Sequence, residues 1–98
     1  MYQFAYSPEA IEDYEKSILW YALRSPIAAN NFAKEVQDKL KIIKYNPLRF
    51  KKRYKHFQEV TLYKFPFTIV FKIEEPLQQI LVVAIYHQKR NPKRKYSR

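Results

Sequence analysis

The chain has no cysteine, no glycine, only two histidines and no long apolar run. Without cysteine, disulfides and thiolate metal sites are excluded, and the redox compartment stays open. Two histidines, His56 and His87, argue against a dedicated metal centre, so none is expected. The missing glycine weighs more. A loop that cradles phosphate uses glycine so that backbone can approach the ligand, which argues against Walker-type and dinucleotide sites; no cofactor is expected. No apolar stretch reaches the ~18 residues of a membrane span. The start, MYQFAYSPEA, lacks the basic and apolar segments of a signal peptide. A soluble cytoplasmic protein without a membrane partner is the expectation.

What is present is charge, unevenly placed. The 98 residues carry a formal net charge of +10. Residues 1–38 hold three basic against six acidic residues, a net of −3, whereas residues 39–98 hold sixteen against three, a net of +13. Such asymmetry is the footprint of a polyanion or an acidic partner. The length suits one domain, residues 1–98, with enough chain for one core.

The chain is organised around Val60 to Pro92. Phe67, Ile69, Phe71 and Ile73 alternate with Thr68, Val70, Lys72 and Glu74, the period of a half-buried strand. After Glu75-Pro76, Gln79 to Tyr86 is nearly all apolar and rich in β-branched residues, as in a central strand covered on both faces. At His87 the character changes, and basic residues follow to the end.

Ahead of this core, Tyr2 to Tyr6 reads as a short edge strand. Ser7-Pro8-Glu9 caps and opens a helix. Ile11, Tyr14, Ile18 and Tyr21 or Ala22 fall on its apolar face. Its acids, Glu9, Glu12, Asp13 and Glu15, match the helix dipole and are read as solvated. Ser25-Pro26 repeats the cap, and the first helix is expected to end near Arg24. Ala29, Phe32, Ala33, Val36, Leu40 and Ile43 form the second stripe, which Asn46-Pro47 stops. Two helices joined so tightly should form an antiparallel hairpin across the sheet.

Arg49 to Lys55 has five basic residues in seven, interleaved with Phe50 and Tyr54, and the tail from Lys89 to Arg98 has six in ten. Cations neutralise phosphates and aromatics stack on bases, so a polyanion interface is one reading and a solvated loop the other. Phe57 to Phe65 reads as a further strand, and Lys64-Phe65-Pro66-Phe67 as a tight connection or bulge.

In this order the chain resembles the RelE/ParE family of bacterial type II toxin–antitoxin toxins. The resemblance is carried by Ser7-Pro8-Glu9-Ala10, Asn46-Pro47, Lys64-Phe65-Pro66-Phe67 and His87-Gln88-Lys89-Arg90-Asn91-Pro92. It implies an α+β fold, β-α-α-β-β-β, with the helical hairpin on a twisted antiparallel sheet and a basic tail. It also implies a cognate antitoxin whose acidic, amphipathic C-terminal segment wraps the toxin, which the +13 half of the chain suits by charge.

The family divides by activity. RelE-like members cut mRNA in the ribosomal A site, so the resemblance implies a growth-inhibiting endoribonuclease that meets ribosome and mRNA. ParE-like members inhibit DNA gyrase without nuclease chemistry, and a non-toxic nucleic-acid-binding module is a third reading. A cutter needs cations at the developing phosphate dianion and a group to move a proton. By position, Arg90 and Tyr96 match an arginine and a tyrosine of RelE-like tails, and His87 is the candidate acid or base. Lys51, Lys52, Arg53 and Lys55 lie where such enzymes supply lysines; Lys64, Lys89, Lys93 and Arg94 complete the expected binding surface. One position departs. Where RelE-like cutters place an arginine near the start of the strand, this chain has Thr68.

Overall fold

The computed structural model describes residues 2–50 and 52–89, with backbone only for Arg53 and Tyr54. Strand β1 (Gln3–Tyr6) leads into helix α1 (Pro8–Ala22), then α2 (Pro26–Tyr45) and a single 3-10 turn (Pro47–Arg49). Strands β2 (Lys52–Tyr54), β3 (Phe57–Thr61), β4 (Phe67–Glu74) and β5 (Gln79–His87) follow. The five strands form one sheet in the order β1-β5-β4-β3-β2.

Both helices start as the sequence dictates. Ser7 Oγ accepts from Ala10 N–H at 3.0 Å and Ser25 Oγ from Ala28 N–H at 3.2 Å, each followed by proline at the first helical position. The α2 stripe is as expected: Ala29, Phe32, Val36, Leu40 and Ile43 are buried, with Ala33 half-buried at its margin. The core lies between the two helices and one sheet face, where Ala10, Phe32, Phe67, Phe71, Ile80 and Val82 belong to one cluster.

Three expectations change. First, the sheet is mixed: β1 runs parallel to β5, with Gln3 opposite Gln79 and Tyr6 opposite Val82. Strand direction between segments so far apart in sequence leaves no local signal. Second, the basic loop contains β2, hydrogen-bonded to β3 through Lys52–Gln58 and Tyr54–Phe57. Three residues of strand are too short for a periodic pattern, and lysine on a short edge strand discourages further pairing. Third, β4 is not half-buried. Phe67 to Phe71 are buried on both faces, because Val70 packs with Val83, Ala84 and Tyr86 in a second cluster.

The α1 stripe is met in part: Tyr14, Ile18 and Tyr21 pack half-buried against the core as expected, but the stripe is wider on one side and short at its start. Ala10, Asp13 and Ser17 point inward, while Ile11 is exposed. Asp13, read as solvated, is buried, and its Oδ2 accepts the Ile85 N–H at 3.0 Å. The reason lies in the edge of β5. Strand β1 covers that edge only as far as Val82. Beyond it, Ser7 N–H donates to Val82 O at 2.9 Å and Ser7 Oγ to Val83 O at 3.0 Å. Asp13 then takes the next free amide, so α1 finishes the edge that β1 leaves open. Small polar side chains let the helix approach closely enough to do so.

The lack of glycine has a local cost. Lys55 and Gln78, each in a turn, hold φ of 52° and 49°, a region that costs an L-residue with a Cβ about 1–2 kcal/mol. Replacing Lys55 with glycine is expected to raise stability by about 0.5–1 kcal/mol, part of the relief being offset by the freer unfolded chain. Urea denaturation measures it, and an unchanged midpoint would contradict the strain assigned to this turn.

Candidate target-binding surface

The candidate residues fall into two separate groups. Lys64, His87 and Lys89 gather at one end of the sheet, where β5 leaves beside the β3–β4 turn and Gln88 N–H donates to Pro66 O at 2.9 Å. Lys52 and Lys55 lie on the β2–β3 hairpin, at the β2 edge, and Lys55 precedes β3 where Lys64 follows it. Three strand spacings of about 4.8 Å separate β5 from β2. Lys51, Arg90, Lys93, Arg94 and Tyr96 fall outside the described residues, and for Arg53 only the backbone is described.

His87 is opposite Phe67 in the sheet register and so shares the helix-side face of the core. Its ring stands edge-on to Phe67 with centroids 5.1 Å apart. Nδ1 accepts the Lys89 N–H at 3.1 Å, which places the ring proton of a neutral imidazole on Nε2. The side chain therefore ends the strand and fastens the first residues after it.

Thr68 points to the other face, paired with Tyr86 on β5. It is 2% exposed. Its Oγ1 accepts from Gln88 Nε2 at 3.2 Å and lies 3.4 Å from Thr61 Oγ1. The Thr68 hydroxyl thus sits in a compact set of neutral groups. The alternation of the pleat puts His87 and Thr68 on opposite sides of the sheet, so these two positions do not converge on one reacting atom.

The turn between β3 and β4 is held from below. Glu35 on α2 accepts two consecutive amide protons, from Tyr63 and from Lys64, the latter at 2.9 Å. Leu62 N–H donates to Phe67 O at 2.9 Å and closes the turn. Beside it a cleft of about 290 Å³ runs along α2, lined by Asn31, Lys34, Asp38, Lys39 and Lys64. A more apolar groove of about 360 Å³ lies between the helices and β5, lined by Tyr6, Ile11, Tyr14, Val36 and Leu40. Burial first and Tyr14 second push the Tyr6 hydroxyl pKa up. The Tyr2 hydroxyl is raised chiefly by its 2.7 Å hydrogen bond to the Glu75 carboxylate.

Sequence reasoning missed the polar groups that build this frame: Asp13, Glu35 and Gln58. Gln58 is buried on β3, and its Nε2 donates to Pro47 O at 3.0 Å and to Phe50 O at 2.5 Å, tying the 3-10 turn to the sheet. Only Asp13 left a signal, being in step with Ala10 and Ser17 on one side of α1.

A helical hairpin on a mixed sheet, with basic residues at two of its margins, is the architecture of small toxins of the RelE/ParE kind. The family model described as "ParE toxin of type II toxin-antitoxin system, parDE" matches residues 4–92, and the chain belongs to that family. Solved structures share the fold. A chain of the chromosomal ParDE TA system from P. aeruginosa superposes with a TM-score of 0.74 at 16% identity, over 89% of this chain and 96% of that one. The intact E. coli RelBE toxin–antitoxin complex gives 0.69 at 13% identity, over 92% of this chain and 100% of that one. The isolated E. coli RelE toxin gives 0.68 at 13%, over 92% and 87%. No curated protein gives a significant match. Among the described residues, no helix is long and apolar enough to cross a membrane.

Proposed function

We propose that this toxin stops growth by gripping a protein target, DNA gyrase in the ParE manner, rather than by cutting mRNA. One observation carries the reading. Thr68 is buried and spends its hydroxyl on Gln88 and Thr61, while His87 faces the other side of the sheet. A hydroxyl fixed in a neutral network cannot neutralise a phosphate dianion as a guanidinium does. The basic surface then serves association, and a cognate antitoxin with an acidic segment is the partner that holds the toxin in check.

Inducible expression of the wild-type chain in a bacterium tests this, with primer extension of cellular mRNA and measurement of gyrase-linked DNA breaks. Growth arrest with intact mRNA and accumulating breaks is the expected result. Cuts at codon-phased positions would establish the RelE-like alternative and return Arg90 and Tyr96 to the centre of the chemistry.

A further inference from the structure

One end of the molecule collects the residue types that dominate protein–protein recognition: Trp, Tyr and Arg. Tyr63 stands at the tip of the β3–β4 turn and is 87% exposed. Its position is fixed by Glu35 beneath its own amide and that of Lys64. Next in the turn, Phe65 is locked between Tyr21 and Phe32, with ring centroids at 5.1 and 5.4 Å. Tyr21 leads to Trp20, whose centroid lies 5.0 Å away. Arg24 closes the series. Its guanidinium lies 3.8 Å above the Trp20 ring, and its Nη1 donates to Trp20 O at 2.9 Å. Leu23 beside it is 75% exposed.

This end is also positively charged. No acid occurs between Glu15 and Glu35, between Glu59 and Glu74, or after Glu75. Glu35 itself is engaged by the turn amides. Asp38 lines the cleft beside Lys64, but Lys34 and Lys39 line it too, so with Arg24 and Lys89 the balance beside the exposed aromatic and aliphatic groups is positive. Rigid aromatics lose little conformational freedom on binding, which favours an anchor role over incidental exposure.

We infer that Trp20, Leu23, Arg24, Tyr63 and Lys64 form the surface that docks onto the toxin's protein target, and that the target presents an apolar pocket rimmed by carboxylates. The inference rests on the target-gripping function proposed above and gives it a place on the molecule. A nucleic-acid strand fits less well, because a strand has no apolar pocket to receive Leu23. The antitoxin is the other candidate occupant. It is separated experimentally because growth arrest by the toxin expressed alone reports target engagement only.

The test expresses Tyr63→Ala, Lys64→Glu and Tyr63→Phe separately, without antitoxin, scoring colony formation and mRNA integrity alongside wild type. Both positions are exposed, so melting temperatures should stay near that of wild type. Tyr63→Ala and Lys64→Glu should restore colony formation, and Tyr63→Phe, which keeps the ring, should remain toxic. Loss of an anchor of this kind weakens binding by roughly 30-fold or more. Intact mRNA with undiminished toxicity of both variants would overturn this surface while leaving the target-gripping function standing. Cleaved mRNA with wild type would overturn both, since the occupant would then be the ribosome. Quenching of Trp20 fluorescence by a mixed-sequence oligonucleotide at physiological salt, relieved in Tyr63→Ala, would also overturn it, in favour of a nucleic-acid surface.

Discussion

Replacing Phe32 with alanine is expected to remove about 3–5 kcal/mol of stability. Phe32 is fully buried and is the hub where both helices meet the sheet. Its ring lies 4.9 Å from Phe67, 5.3 Å from Tyr21 and 6.1 Å from Tyr14. Removing it opens a void bounded by rigid aromatics, which cannot collapse inward as aliphatic chains can. A domain of this size has roughly 5–15 kcal/mol in total, so the variant should be partly unfolded or soluble only when cooled. Urea denaturation should show a large fall in midpoint with little change in slope. A loss under about 1 kcal/mol would mean that the helices are held to the sheet elsewhere.

Asp13→Ala should cost about 2–3 kcal/mol, or roughly 10 °C or more in melting temperature. No apolar contact explains this. The substitution leaves the buried Ile85 amide without the carboxylate that accepts it at 3.0 Å. Asp13→Asn keeps an acceptor oxygen in nearly the same place and should recover about half of the loss. Hydrogen exchange at Ile85 should accelerate in the alanine variant ahead of its neighbours on the β4 side. Equal losses for the two variants would show that the carboxylate does more than accept this one hydrogen bond.

These two residues also mark where the sequence could and could not be read. Phe32 sits on a stripe with helical spacing, and periodicity alone identifies it as core. Other local signals gave both helix starts, through their Ser-Pro caps, and the position of β5, through its apolar run. Asp13 defeated it because an acid in the first turns of a helix has a sufficient explanation in the dipole. Its true partner is an amide 72 residues away. Glu35 and Gln58 were opaque for the same reason, since each serves a backbone segment on another element. The site was legible as composition and illegible as geometry. Basic residues announced themselves, but the sheet register that puts His87 and Thr68 on opposite faces needs the pairing of β4 with β5. The Tyr63 turn was recognised as tight from its proline, though not as a presented aromatic.

The parallel pairing of β1 with β5 has a consequence for how the toxin comes into being. Gln3–Tyr6 is synthesised before its partner Gln79–Val82, with both helices and three strands between them. Closing so long a span is slow relative to local contacts and brings no reward until β5 exists. The helical hairpin can form early, but the β5 edge that Ser7 and Asp13 complete is not yet there to receive it. A nascent chain halted anywhere before β5 therefore lacks the strand that joins its first element to the rest. The toxin cannot close its sheet until β5 has been made.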